Sequence, residues 1–263
     1  MQPIFWQWNG FTISTYAVWM TIGLIAATLV CLAAARHYHL RSAFVLDAIL
    51  AAVVAGVLAA RAGYVIINWA YYQDHAAEIV RLWQGGLNWQ AGLIGGSIGA
   101  WFIARRAQLS APMTMLDILA IGLLLGLACG WIGSYFSATA YGAELFPGDR
   151  FFFLARDLPD AYGLSNPRWP TQLIGVAWSL LLFLLVWFTR KKVWAAGTRY
   201  WFVVTVYSLG ALLIGFTRGA DVPRFYGWRV DQVLDALLVV AGAIGMWRVR
   251  WIGQHSLAEQ AHG

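Results

Sequence analysis

Trp83-Gln84-Gly85-Gly86-Leu87-Asn88-Trp89-Gln90-Ala91-Gly92-Leu93-Ile94-Gly95 contains no titratable side chain and passes from a paired-glycine approach into an apolar run. The run continues through Gly96-Ser97-Ile98-Gly99. Gly92, Gly95, Gly96 and Gly99 therefore predict a short, glycine-rich span over about 91–107, one that packs closely on neighbouring helices or starts from a re-entrant segment. Such a segment is stable only inside a bundle.

Composition sets the class of that bundle. Hydrophobic residues make up 60% of the 263-residue chain and charged residues 11%, where a soluble domain carries about 25% charge. With mean hydropathy at +0.63, this is an integral membrane protein. A crossing takes roughly 20 apolar helical residues. Apolar stretches at about 13–35, 44–68, 91–107, 114–138, 171–189, 200–217 and 232–250 predict seven such helices. Unpaired backbone groups in lipid cost several kcal/mol each, and the runs lack the alternation of barrel strands, so helices are the only solution. The expected fold is an all-α, polytopic bundle of seven transmembrane helices, a single domain over 1–263 with no room for a separate soluble one.

Orientation follows the basic residues. Arg36 and Arg41, Arg105 and Arg106, Arg190, Lys191, Lys192 and Arg199, and Arg248 and Arg250 fall in short connections on one side, which is expected to be cytoplasmic. The opposite loops, about 70–90, 139–170 and 218–231, dilute Arg with Asp and Glu. The N-terminus is then outside and the C-terminus inside. This bias accounts for the net charge of +6, through attraction to anionic headgroups rather than to nucleic acid. Met1-Gln2-Pro3 precedes no basic region and apolar core of the signal-peptide kind, so the first span itself is expected to direct insertion. Trp6, Trp8, Trp69, Trp194 and Trp251 near span ends suit interfacial belts.

Cys31 and Cys129 fall at different depths of different spans and read as small packing residues, not as a disulfide. His37, His39, His75, His255 and His262 all lie in connections or the tail, which argues against an intramembrane haem ligand or imidazole base. Polar groups inside the membrane are the remaining candidates. Arg61 stands deep in the second span. Asp47, Asp117 and Asp235 begin spans, where helix entry or capping competes with function.

Arg61-Ala62-Gly63-Tyr64, the stretch from Gly85-Gly86 to Gly95, Gly130-Trp131-Ile132-Gly133-Ser134-Tyr135 followed by Tyr141-Gly142, and Arg168-Trp169-Pro170-Thr171-Gln172-Leu173 occur in one order along the chain. In that order they resemble the prolipoprotein diacylglyceryl transferases over nearly its whole length. The resemblance implies transfer of a diacylglyceryl group from phosphatidylglycerol to the thiol of a lipobox cysteine. It also places Tyr16, Arg61, Tyr64, Asp117, Arg168, Gln172, Arg218 and Gln232 at retained positions. Other positions differ. Gln90 and Ala91 stand where the family has His-Gly; Trp131, Ser134 and Thr139 where its signature has Arg, Asn and Glu; Ala211 and Gly215 at an Arg and a Glu; Gly175 at a further Glu.

A thiol of pKa about 8.5 needs a base or a cation to become a thiolate, and a glycerol phosphate leaving group needs arginines. Glutamine cannot serve as that base. The expectation is a transferase-like protein without catalysis, a lipid-binding scaffold or accessory subunit of a larger membrane complex. The alternative is an active, divergent diacylglyceryl transferase using Arg61, Arg168, Arg218, Arg224 and Arg229 with Asp221 or Asp231. No cofactor or metal is expected. A bound phospholipid is, with Tyr16, Arg61, Tyr64, Gln90, Ser134, Arg168, Arg218 and Gln232 as its candidate contacts. Arg61, if unpaired at its depth, requires either a lipid phosphate or Asp117 or a cluster of backbone carbonyls. Phosphatidylglycerol and other membrane subunits, those of energy-transducing complexes among them, are the expected partners, in a bacterial inner membrane.

Overall fold

A computed structural model describes residues 4–8, 11–109, 111–160, 162–192, 194–219 and 222–262, with the side chains of Trp8, Phe11 and 252–262 outside that description. Met1–Pro3 and Asp221 likewise lie outside the described residues. The chain is mostly helical: α1 Thr15–His37, α2 Ser42–Ile67, α3 Trp69–Tyr72, α4 Trp89–Arg106, α5 Met113–Phe136, α6 Thr171–Phe188, α7 Thr198–Gly215 and α8 Val230–His262. Six of these are long and apolar enough to cross a membrane: α1, α2, α5, α6, α7 and the Val230–Trp251 part of α8. The seventh expected span exists as α4 but does not meet that measure. Its 18 residues open on Trp89 and Gln90, close on Arg105 and Arg106, and include four glycines that add length without hydropathy.

Among the described residues three two-stranded antiparallel hairpins accompany the helices, so the expectation of an all-α chain is corrected. β1 Ile4–Trp8 pairs with β2 Phe11–Ser14, β3 Arg156–Pro159 with β4 Ser165–Arg168, and β5 Arg224–Phe225 with β6 Trp228–Arg229. They are too short to show a period of two. The last turns through Tyr226 at φ 48 and Gly227 at φ 85, both left-handed as a tight hairpin turn demands.

The chain packs as two compact units interleaved in sequence. The first comprises Met1–Val30, Ile121–Lys191 and Val206–Asp221. In it Gly23 faces Cys129, where a Cβ would sit 2.8 Å from the cysteine Cβ, and Thr171 donates through its hydroxyl to the Thr217 carbonyl at 3.0 Å. The second comprises Cys31–Ala120, Lys192–Thr205 and Val222–Gly263. Its α2 and α4 lie backbone to backbone. A Cβ on Gly99 would come within 2.7 Å of the Ala51 carbonyl, and one on Gly95 within 2.7 Å of that of Ala55. Close approach through glycine and alanine is how helices associate where lipid removes the hydrophobic drive. Of the two readings of the glycine-rich stretch, this is the packing one. Neither Cys31 nor Cys129 is in a disulfide.

Asp117 settles the capping alternative for its position. Its carboxylate accepts from the backbone N–H groups of Gly197 at 2.7 Å and Tyr200 at 2.8 Å, satisfying donors at the start of α7 that have no partner within the helix. Arg199 is no solvated loop charge. It is buried, donates to the Tyr38 hydroxyl and the Lys192 carbonyl, and lies 5.0 Å from the centre of the Trp194 ring. Burial pushes the Tyr38 phenol up, which keeps that acceptor neutral.

Candidate functional site

In the second unit Arg61 is 5% exposed, and its guanidinium makes four hydrogen bonds to backbone carbonyls. Nε donates to Ile79 at 2.8 Å, one terminal nitrogen to Gly85 at 2.8 Å and Gly86 at 3.1 Å, and the other to Glu78 at 2.5 Å, in each case to the carbonyl oxygen. The Tyr72 ring lies 5.2 Å from the guanidinium carbon. This is the carbonyl cluster that a buried arginine calls for. Gly85 at φ 82 and Gly86 at φ 72 turn their carbonyls toward the cation. A Cβ at Gly86 would stand 2.7 Å from both Arg61 Nη1 and the Tyr64 ring, so this clamp demands a glycine at 86. The clamp in turn fixes the approach to α4, where Asn88 donates its N–H to the Ala60 carbonyl at 2.9 Å and its side chain caps Ala91 N at 2.8 Å.

Gln90, one residue into α4, is 2% exposed. Its Nε2 donates to Asp235 Oδ1 at 2.8 Å and to the Asp231 carbonyl at 3.2 Å. Both partners are acceptors, so the amide orientation is fixed. Its Oε1 then finds no donor among the described residues. Beside it runs a cleft of about 360 Å³ between α2, α4 and α8, lined by Gln90, Asn88 and apolar residues that include Ile66, Ile94, Leu234 and Leu237. Gln232 is buried nearby in sequence, its Nε2 without a partner among the described residues. The pairing of Asp235 with Gln90 was hidden in the sequence, where Asp235 read only as a helix-entry charge. The signal was the four-residue spacing of Asp231 and Asp235, one turn apart on α8.

The first unit holds the other expected residues. Arg168 is buried and paired with Glu144 at 2.7 Å and Asp160 at 3.1 Å, with Tyr141 beside it at 5.3 Å. Two carboxylates neutralise its charge. Gln172 donates to the Thr139 carbonyl at 3.0 Å. Tyr16 packs against Gly133, while Ser134 and Arg218 are half-buried. Trp131 donates its indole N–H to the Tyr207 hydroxyl at 3.1 Å and lies so close to Gly175 that a Cβ there would enter the indole. Of the conceivable acids, Asp231 accepts from Arg229 at 3.2 Å. The expected contacts thus divide equally between the units, with Arg61, Tyr64, Gln90 and Gln232 in the second.

A model of the family described as prolipoprotein diacylglyceryl transferase matches residues 3–248. The chain is 30% identical over 248 residues, 93% of each protein, to a phosphatidylglycerol–prolipoprotein diacylglyceryl transferase of Streptococcus uberis. It is 28% identical over 262 residues to the protein of that name in Gloeobacter violaceus, covering 98% of this chain and 96% of the relative. A third, from Streptococcus pneumoniae serotype 4, is 32% identical over 246 residues, 92% of each.

Proposed function

Because the chain belongs to the prolipoprotein diacylglyceryl transferase family, we propose that it keeps that family's lipid-holding helical frame in a bacterial inner membrane but does not itself carry out the transfer, and that it serves a larger membrane assembly. The observation that carries this reading is the contact of Trp131 with Gly175. By the resemblance these positions hold an arginine and a glutamate. Here an indole fills the space against a bare glycine, so two charges are replaced jointly by one packed aromatic contact. Neither position retains a group able to hold phosphate or move a proton. Gln90, at the position of the family's histidine, supports the same reading, since an amide takes no proton from a thiol.

In this reading all seven long helices cross the membrane, α4 shielded by its close packing on α2, with the N-terminus outside and the C-terminus cytoplasmic. Phosphatidylglycerol is the phospholipid expected around the bundle.

The second reading is an active diacylglyceryl transferase, and the comparisons taken alone favour it over the first. The name shared by all three relatives, similar across more than nine-tenths of each chain, speaks for it. Among the described residues, the carboxylate of Asp235, hydrogen-bonded to Gln90, is a group the site offers such an enzyme as a base. Expression in a bacterium depleted of its own transferase separates the two. The first reading expects no rescue, and extraction in mild detergent to yield stoichiometric partner subunits. Rescue by the wild-type chain that is lost in Asp235→Asn would establish the second.

A further inference from the structure

Between α5 and α6, within the first unit, the chain carries Arg150-Phe151-Phe152-Phe153-Leu154-Ala155-Arg156, an apolar run between two cations to which the function proposed above gives no role. Its own backbone folds it into a compact turn. Asp149 donates its N–H to the Phe146 carbonyl at 2.9 Å while its carboxylate accepts from the Phe146 N–H at 2.7 Å. The N–H groups of Phe152, Leu154 and Ala155 each donate to the carbonyl three residues back, at 3.0, 2.9 and 2.9 Å. Leu145 and Leu158 are buried and give the segment its apolar core, whereas Phe146 is 64% exposed, Phe153 73%, and Phe151 and Leu154 are exposed as well. Large apolar side chains gathered on one short turn, unlike ones scattered singly, mark a surface that meets something.

The depth of the turn follows from α6. Over its 18 residues Thr171–Phe188 rises about 27 Å, nearly the full thickness of a hydrocarbon core of about 30 Å, so a crossing α6 sets Thr171 at the boundary with the headgroups. Trp169 stands just before it, at the level where an indole prefers to lie. The Phe151 ring packs on that indole, with ring centres 5.4 Å apart. The turn is thereby held at headgroup level, beside the acyl chains that border α6.

We propose that the Phe151–Leu154 turn is an interfacial anchor, with Phe146, Phe153 and Leu154 entering the leaflet at the start of α6 and Arg150 and Arg156 keeping their charged ends in its polar layer. Arg150 already lies along the turn, its guanidinium carbon 5.8 Å from the centre of the Phe151 ring. Asp149 and Asp157 balance the two arginines, so charge supplies no net attraction. The occupant is the leaflet boundary itself, recognised through apolar burial rather than through an anionic headgroup. The inference goes beyond the function proposed above and holds whether or not the chain transfers lipid.

The test uses the full-length protein with Cys31→Ala and Cys129→Ala, one copy per nanodisc, and a fluorescent dye attached through Phe153→Cys or, as a reference exposed beyond the far end of α6, Lys191→Cys. The dye at 153 is expected to be quenched by lipids spin-labelled near the headgroup and to have lost quenching by aqueous iodide, which the dye at 191 keeps. The result is expected to be the same in zwitterionic discs and in discs containing phosphatidylglycerol. A second variant lifts the turn without touching its fold, because both positions face outward: with Phe146→Asp and Phe153→Asp together, a dye on Leu154→Cys is expected to lose lipid quenching and gain iodide quenching. A dye at 153 as open to iodide in one-copy discs as the dye at 191 would overturn the proposal and assign the turn to a protein partner or a second copy. Lipid quenching that needs phosphatidylglycerol, or that survives the double substitution, would overturn it too.

Discussion

At the scale of single residues, the arginine that the sequence marks as the most costly in the membrane is a structural clamp. Arg61 gathers the carbonyls of Glu78, Ile79, Gly85 and Gly86, so it folds the 78–86 loop back over α2 and delivers the chain to α4. The two glycines differ in a way that stability measurements can resolve. Gly85→Ala meets nothing within 4 Å and incurs only the left-handed backbone, about 1 kcal/mol. Gly86→Ala adds a collision with Arg61 and Tyr64 and is expected to cost at least about 2 kcal/mol more, read as a lower midpoint in thermal unfolding. Equal midpoints for the two variants would show that the clamp does not hold the loop. The sequence made Arg61 and the paired glycines conspicuous. It did not connect them, because the bonds run from a side chain to backbone carbonyls, and carbonyls leave no trace in residue identity.

At the scale of elements, α2 and α4 pack backbone to backbone in the second unit because small residues face each other along both. Gly95 and Gly99 meet Ala51, Ala55 and Ala59 with no room for a side chain. Gly95→Leu is expected to separate the helices and lower stability by about 3 kcal/mol or more, whereas Leu50→Ala, on an exposed part of α2, is expected to change it by less than about 1 kcal/mol. A circular dichroism melt in detergent distinguishes the two. The glycine pattern was legible beforehand since it repeats on one helical face. Its low hydropathy is also what keeps α4 outside the six helices that qualify as spans. The three hairpins were not legible, for two to five residues per strand are too few to establish alternation. Asp117 was legible only as a capping candidate, since the first backbone N–H it caps, that of Gly197, lies 80 residues further on.

At the scale of the whole molecule, the family and the helical class were readable from the sequence because glycines, tyrosines and arginines at spaced positions outlast changes elsewhere. The basic residues predict the orientation with one exception, as Arg199 is buried in a bonded cluster rather than left to the cytoplasmic surface. A cysteine at Gly148 is expected to react with a membrane-impermeant maleimide from outside intact cells, and a reporter fused after Gly263 to be cytoplasmic. The reverse labelling would invert the topology.

The central claim, that this frame holds lipid without transferring it, meets its most direct test in a single assay. Purified protein is mixed with radiolabelled phosphatidylglycerol and a lipobox peptide, and label on the cysteine is counted. Each missing charged group typically supplies a factor of about 100 to 10,000, so the wild-type chain is expected to give no transfer above a no-protein control. Transfer at a rate comparable with the Streptococcus uberis relative, measured alongside, would contradict the claim.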